Sequence, residues 1–184
     1  MTLTRCAVAL STLVALVPCQ GQDAPPPPAA AADVQSMDAI LHAKYDVISG
    51  PAGQRDWNRF YSLFAPGGRL MLIRHHGADS ATTITAVTPQ AYAQRVSEYV
   101  SKNTFYEHSI ARTVDTYGAI TQIFSTYASY HDANDAKPFA RGIDSFQLFN
   151  DGKRWYIVTV SWDAETPANP IPERYLSPSA ARSK

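Results

Sequence analysis

The sequence predicts an α+β fold in which helices pack on one side of an antiparallel sheet. Three segments with the helical spacing of apolar residues precede or interrupt a series of strand-like segments. The last two strand-like segments flank Asp151-Gly152, a dipeptide that is typical of a tight hairpin turn. Runs of strands next to separate helices are the pattern of an α+β domain.

Start and stop signals define the three helices, which we expect at 33–49, 56–64 and 88–103. Asp33 is a suitable N-cap for the first helix, and Ser49-Gly50-Pro51 ends it. Thr88 is a suitable N-cap for the third helix, and Pro89 occupies its first position, where the missing N–H costs nothing. The first helix carries an apolar stripe that comprises Met37, Leu41, Tyr45 and Ile48.

Six strands account for most of the remaining chain, and we expect them at 69–74, 82–87, 106–117, 120–131, 141–150 and 154–163. Strict alternation along 106–117 predicts that one face carries Tyr106, His108, Ile110, Arg112 and Val114. A two-residue turn at Asp151-Gly152 would place Asp144 opposite Thr159. A longer loop would shift this register.

The N-terminus predicts export. A single early positive charge precedes the apolar run 6–17, which is short for a membrane span and fits a signal peptide over residues 1–21. The residues before Cys19 also resemble a bacterial lipobox, although Pro18 departs from that pattern, so a lipid-anchored form is the alternative to a periplasmic or secreted one. The region after Gly21 contains no cysteine, which excludes disulfides and thiol catalysis there.

Composition divides the remainder of the chain. Residues 22–32 are rich in Pro and Ala and are interpreted as a tether. Residues 33–166 form the predicted domain, and 167–184 are interpreted as an irregular tail. The formal net charge of zero gives no electrostatic indication of nucleic-acid binding.

The terminal hairpin has apolar residues on both faces, whereas an antiparallel sheet often exposes one face to water. Three helices can cover one face. A partner subunit is the simplest cover for the other face. Membrane contact is expected only if Cys19 is lipidated.

The element order, with the stretches 55–70, 124–130 and 141–165, resembles the nuclear transport factor 2-like superfamily, including SnoaL-like domains. The resemblance implies a cone-shaped, cystatin-like fold with a pocket between a curved sheet and three helices. It also implies a homodimer through the outer sheet face. Enzymes of this superfamily use Asp, His, Tyr or Arg side chains that line the cone.

Four residues are therefore candidates for acid–base catalysis, namely His108, Arg112, Tyr127 and Asp144. His108 is the best such group if its strand face lines the pocket, and it is an interface residue if that face is external. The sequence leaves open whether the inward face carries His108 and Arg112 or Glu107 and Ser109.

Aromatic side chains can build the core or line the pocket. The candidates for ligand contact are Tyr45, Trp57, Phe60, Tyr92, Tyr99, Tyr106, Phe146 and Trp162.

Other polar groups favour structural roles. Asp38, His42 and Asp46 follow a spacing that is compatible with a metal, but they lie away from the apolar stripe and are interpreted as a solvated helix face. Adjacent strand residues such as His75 and His76 point to opposite faces, so a surface position is favoured for both. For Tyr127, Tyr130 and His131 the alternatives are a polar lining near the pocket mouth and, as the favoured interpretation, ordinary strand aromatics. A salt-bridge cluster at one end of the hairpin is the favoured interpretation of Arg141, Asp144, Trp162, Asp163 and Glu165, and cross-strand pairing would allow a cation–π contact between Arg141 and Trp162.

We expect neither a metal nor a cofactor, since no phosphate loop, nucleophile elbow or zinc-binding helix motif is present. The sequence therefore supports two hypotheses. One is an exported domain that binds a small apolar organic molecule and acts on it by acid–base chemistry. The other is a non-enzymatic, homodimeric assembly module of the cell envelope.

Overall fold

A computed structural model describes residues 26–76 and 81–177. The proposed signal peptide (1–21) and Cys19 lie outside the described residues, as do 22–25 of the tether and 178–184 of the tail. The helices are α1 (Ala31–Val34), α2 (Met37–Ile48), α3 (Trp57–Ser62) and α4 (Pro89–Lys102). The strands are β1 (Phe64–Arg74), β2 (Thr83–Val87), β3 (Tyr106–Tyr117), β4 (Ile120–Tyr130), β5 (Ala140–Asn150) and β6 (Trp155–Ala164).

The helix ends follow side-chain capping, with one correction. The side chain of Thr88 accepts a hydrogen bond from the Ala91 backbone at the start of α4, as expected. The predicted single helix 33–49 is divided, because the chain leaves helical geometry after Val34. Ser36, not Asp33, caps α2 by accepting from the backbone of Ala39. Among the described residues, no helix is long and apolar enough to cross a membrane.

The six strands form one curved sheet in the order β2-β1-β6-β5-β4-β3. β3 to β6 form an antiparallel meander, as predicted. β1 pairs with β6 in parallel, which the sequence pattern did not indicate. β1 also begins at Phe64, where the sequence predicted the last turn of a helix.

The terminal hairpin has a longer loop than the predicted two-residue turn. Asn150 pairs with Trp155, and Asp144 lies opposite Trp162, not opposite Thr159. Asp151 accounts for the longer loop, because its side chain accepts hydrogen bonds from the backbone N–H groups of Lys153 and Arg154. A bulge at Val158 adds a further shift, since Ile157 and Thr159 oppose consecutive residues of β5.

A second bulge changes the face assignment in β3. Ser109 pairs with Tyr127 and Ala111 pairs with Thr126, which leaves Ile110 as the extra residue. The predicted common face of β3 is therefore wrong. Tyr106 and His108 lie on the outer face, whereas Arg112 and Val114 lie on the inner face that packs against the helices.

Helices α2, α3 and α4 pack on the inner sheet face and complete the core. The largest fully buried side chains include Ile40, Phe60, Phe64, Phe146 and Ile157. Tyr45 packs edge-on against Phe146, with ring centroids 6.3 Å apart. This contact joins α2 to the middle of β5, so the neighbouring residues of α2 also lie beside that strand.

The C-terminal segment, residues 166–177, partly covers the outer face of β4 and lines a groove on the outer face of the hairpin. Tyr175 packs against Phe124 with ring centroids 5.6 Å apart, and its carbonyl accepts a hydrogen bond from Thr126. The Ile171 backbone N–H donates to Glu165 at 3.1 Å. A cover that belongs to the same chain therefore occupies part of the surface for which the sequence suggested a partner subunit.

Candidate functional site

Three charged side chains meet beneath helix α2. The Nζ atom of Lys44 lies 2.8 Å from Oδ2 of Asp144 and 3.2 Å from Oε1 of Glu107. Their side chains retain 9%, 4% and 11% of their exposure, respectively. We call this set the acid–amine cluster.

Local sequence explains how each member reaches this position. Lys44 lies four residues after Ile40 and four before Ile48, both buried, so it shares the inward stripe of α2. Glu107 belongs to the inner face of β3. Asp144 alternates with the buried Phe146 on the inner face of β5.

Hydroxyl groups complete the network around the carboxylates. Tyr45 donates to Oδ2 of Asp144 at 2.8 Å, and its oxygen lies 2.8 Å from the hydroxyl oxygen of Ser125. Ser129 donates to Oε2 of Glu107 at 2.9 Å. These bonds fix the orientation of both acids and offset part of their desolvation.

Burial and mutual charge determine the protonation of the cluster. Burial alone lowers the pKa of Lys44, but Asp144 and Glu107 outweigh it and leave this pKa above its ordinary value. Lys44 is therefore a fixed ammonium ion. Burial raises the pKa of Glu107, and the neighbouring Asp144 carboxylate acts in the same direction, against the opposing effect of Lys44. Glu107 thus holds its proton more tightly than an ordinary glutamate does, which suits a group that exchanges a proton with a ligand.

A cavity of about 180 Å³ opens onto the cluster. Its lining combines apolar and aromatic side chains with the three charged ones: Lys44, Ile48, Phe60, Leu70, Tyr92, Phe105, Glu107, Tyr127, Ser129, Phe139, Ala140, Asp144, Val160 and Trp162. Sites for drug-sized ligands typically measure about 300–1,000 Å³, and this cavity is smaller. The volume therefore limits an occupant to a small molecule.

Tyr127 presents a free hydroxyl group to this cavity. Its side chain is buried, with 6% relative exposure, yet its hydroxyl forms no hydrogen bond with any described residue. Burial raises its pKa, so the group stays a neutral phenol. Such a group can donate to, or accept from, a bound molecule.

Gly142 provides the space for Tyr127. It lies directly opposite Tyr127 in the β4–β5 register. A Cβ atom at this position would collide with the Tyr127 hydroxyl and with the carbonyl of Asp163. A glycine inside a strand often marks such a close approach, and this signal was present in the sequence.

The structure brings together part of the predicted site. Tyr127, Asp144, Phe60, Tyr92 and Trp162 line the cavity. Tyr45 and Phe146 are outside the cavity lining. Tyr45 donates a hydrogen bond to Asp144, and Phe146 packs edge-on against Tyr45. Trp57 contacts Phe60 in the core, with centroids 5.8 Å apart.

Other predicted residues lie elsewhere. His108 is exposed on the outer face and stacks on Tyr130, with centroids 5.1 Å apart. Tyr106 shares that face, and Tyr99 is exposed on α4. Arg112 lies on the inner face but forms an ion pair with Asp38 at the start of α2, outside the cavity lining.

The remaining polar groups occupy the surface. Asp38, His42 and Asp46 are exposed, and Asp46 pairs with Arg59 of α3. His75 and His76 are exposed, and His75 lies 2.8 Å from Asp163. His131 stacks on Phe139 at 4.1 Å.

Arg141 and Trp162, which the sequence placed in one cluster, are not cross-strand neighbours. Trp162 opposes Asp144, whereas Arg141 pairs with Glu165 at 2.8 Å.

The sequence did not indicate Lys44 as a member of the candidate site, and it left Glu107 as one of two alternatives. A lysine in register with the apolar stripe of α2 was the available signal, because lysine is rarely buried without a partner.

Comparison with solved structures places this geometry in a known fold. A protein from Nostoc punctiforme with a cystatin-like fold and unknown function aligns with a TM-score of 0.55, at 10% identity over 72% of this chain and 91% of that chain. The described domain therefore has a cystatin-like fold. The predicted fold is thereby confirmed.

Two further matches are weaker. An NTF2-like protein of unknown function from Silicibacter pomeroyi aligns with a TM-score of 0.48, at 11% identity over 71% of this chain and 94% of that chain. The CaMKII hub of S. rosetta aligns with a TM-score of 0.47, at 14% identity over 70% of this chain and 90% of that chain. No protein-family model matches the sequence, and no curated protein sequence matches it.

Proposed function

We propose that this nuclear transport factor 2-like domain binds a small organic molecule in the cavity above the acid–amine cluster, with Glu107 as its proton-exchanging group. The observation that carries the proposal is the free Tyr127 hydroxyl, which faces the same cavity as two buried carboxylates. Because no enclosed side-chain oxygen or nitrogen among the described residues lacks a partner, this hydroxyl is open to the cavity and can bond to a molecule there. An aromatic enclosure with a few convergent polar groups is typical of a ligand site.

The chemistry of the cluster limits what it can do. Lys44 is held as an ammonium ion by its two carboxylates, so it is unsuited to act as a nucleophile. Glu107 has a raised pKa, and its carboxyl group accepts hydrogen bonds from two of the described residues, Lys44 and Ser129. A ligand beside Glu107 can therefore give a proton to this carboxyl group or take one from it without a cofactor.

A cavity-blocking variant tests the binding proposal. Ala140 lines the cavity at the start of β5, and Ala140→Phe narrows the cavity without replacing any of the charged residues. Ala119→Phe is the matched control, because it adds the same ring to an exposed turn. Ligand-observed NMR with a panel of small cyclic molecules should show binding to the wild type and to Ala119→Phe that is lost in Ala140→Phe. Equal binding by all three proteins would place the ligand elsewhere.

A role in self-association is the second candidate function. Ile120 and Phe149 face each other across β4 and β5, and they are 60% and 38% exposed on the outer face. Exposed apolar side chains in contact mark interaction surfaces. Sedimentation velocity on wild type and an Ile120→Lys variant tests this role: a dimer that the variant loses supports it, and a wild-type monomer at all concentrations contradicts it.

We propose further that the chain is exported, on the signal-peptide pattern of residues 1–21. Mass determination of the mature protein from an exporting host tests this proposal. Cleavage near Gly21 supports a soluble exported form, a lipid adduct on Cys19 supports an anchored one, and an intact leader contradicts both.

A further inference from the structure

The cavity lining contains two acidic residues and one basic residue. Lys44 is the one cationic residue among the described lining residues, and it faces the carboxylates of Glu107 and Asp144. Its Nζ atom also lies 4.0 Å from the centroid of the Tyr45 ring. The donors of Lys44 are therefore directed at groups of the protein, and one negative charge lacks a partner when both acids are ionised.

Asp144 retains an unused acceptor. Lys44 and Tyr45 both donate to Oδ2, whereas Oδ1 accepts no hydrogen bond from the described residues. Among these residues, no completely enclosed side-chain oxygen or nitrogen lacks a partner, so Oδ1 remains accessible. Asp144 is buried, with 3% relative exposure, and it borders the cavity. A molecule in the cavity can therefore supply the hydrogen-bond donor that Oδ1 lacks.

Aromatic rings surround this acceptor-rich floor. Tyr92 packs edge-on against Trp162 with centroids 5.9 Å apart, and Tyr92 also contacts Phe60 at 5.6 Å. All three rings line the cavity. Aromatic side chains pack favourably against another ring, and exclusion of water strengthens the attraction between a cation and the carboxylates.

We propose that the ligand of this cavity is a small organic cation with a cyclic body, whose ammonium group donates to Oδ1 of Asp144 and to Glu107. This inference rests on the proposed binding function and assigns its ligand class. The ammonium supplies the charge that Lys44 leaves unbalanced, and the ring of the ligand packs against Phe60, Tyr92 and Trp162. The Tyr127 hydroxyl then accepts a further N–H of the same group.

Probes of matched shape and different charge test the inference. Benzylamine, benzyl alcohol and benzoate, with their cyclohexyl analogues, are titrated into the full chain at pH 7 by calorimetry and ligand-observed NMR. We expect the amines to bind at least tenfold more tightly than the alcohols, and the carboxylates not to bind. In Glu107→Gln, which removes one negative charge and keeps a side chain of the same size, the preference for amines should fall to threefold or less.

Each alternative outcome has a defined meaning. If alcohols or carboxylates bind as tightly as amines and Ala140→Phe abolishes their binding, the cationic ligand class is wrong while the binding function stands. If Glu107→Gln keeps the full preference for amines, the assigned recognition is wrong. If no probe binds to the wild type, both the ligand class and the proposed function are contradicted. Unfolding curves of Ala140→Phe and Glu107→Gln, measured in parallel, verify that each variant is folded under these conditions.

Discussion

Lys44 and Asp144 are 100 residues apart in sequence, yet Nζ of the first lies 2.8 Å from Oδ2 of the second. The contact joins helix α2 to the centre of the sheet through a charged pair where apolar side chains would otherwise meet. Taking two charges out of water costs several kcal/mol for each ion, which their attraction repays only when the geometry is good. A buried ion pair such as Lys44–Asp144 therefore contributes little net stability, which agrees with the proposed role in ligand recognition.

Replacement of Lys44 by Met should destabilise the domain. The substitution leaves the carboxylates of Glu107 and Asp144 buried without their ammonium ion, and breaking a buried pair costs about 3–5 kcal/mol. Urea unfolding followed by circular dichroism at pH 7 measures the loss.

The surface pair of α4 offers a matched control for that measurement. Lys102 lies 2.8 Å from Glu98, and both side chains are largely exposed. Lys102→Met should therefore change the free energy of unfolding by less than about 0.5 kcal/mol. If the two lysine substitutions have equal effects, Lys44 is not held as the structure indicates.

Glu107 should make stability depend on pH. Burial raises its folded-state pKa above the ordinary value of 4.5, so the folded protein holds this proton more tightly than the unfolded chain does. The stabilisation from this group is then fully present below about pH 4.5, and it is lost as the pH rises through the raised pKa. The glutamine of the Glu107→Gln variant has no proton to lose. The free energy of unfolding of this variant, minus that of the wild type, should therefore increase as the pH rises from 4 to 8.

Parallel urea titrations of the two proteins across this range isolate the contribution of Glu107, because every other titrating group is common to both. A constant difference between the two curves would mean that the carboxyl group has an unperturbed pKa. Ser129→Ala provides a second check. It removes a hydrogen bond that favours the ionised form, and it should therefore move the titration of Glu107 to higher pH.

Gly142→Ala should destabilise the fold and impair binding together. The added methyl group collides with the backbone carbonyl of Asp163 and with the Tyr127 hydroxyl, so the strands must separate or Tyr127 must move. Overpacking of this kind costs about 1–3 kcal/mol. Ser145→Ala, on the same strand but directed to the outer face, should leave both unfolding and ligand affinity near the wild-type values. Wild-type affinity in Gly142→Ala would show that the position of Tyr127 is unimportant.

The C-terminal segment should limit self-association through the outer face. A double substitution, Ile171→Ser with Tyr175→Ala, removes the apolar groups that hold the segment next to Phe124 and Ile143. We expect sedimentation velocity to show more dimer in this variant than in the wild type at equal concentration. Glu173→Ala, which alters an exposed residue of the same segment, is the control. If the double variant stays at the wild-type distribution, the segment does not compete with a second copy.

Much of the fold could be predicted from the sequence, because local signals dominate it. Pro89 and Thr88 define the start of α4, and alternation defines β3 to β6. The parallel pairing of β1 with β6 could not be predicted in this way, since it joins segments far apart in the chain. The division between α1 and α2 depends on Ser36, which caps α2. The sequence offered Asp33 as an equally suitable N-cap, so the division was not predicted.

The candidate site was only partly predictable, for reasons of register. Asp144 and Tyr127 were singled out, but strict alternation paired Arg112 with His108, which the bulge at Ile110 separates. Lys44 was overlooked because a lysine on a helix is ordinarily solvated. Its burial depends on two acids from distant strands, whose positions no local pattern reveals.

The bulge in β3 also affects how related sequences should be aligned. Ile110 is an additional residue that the sheet accommodates without moving its neighbours to the opposite face, so Glu107 and Arg112 would both stay on the inner wall if it were deleted. A homologue with one residue fewer in this strand would therefore preserve the same cavity. Sequence comparison should allow a gap in the middle of β3, a position where gaps are usually penalised, or the two halves of the strand will be aligned out of phase.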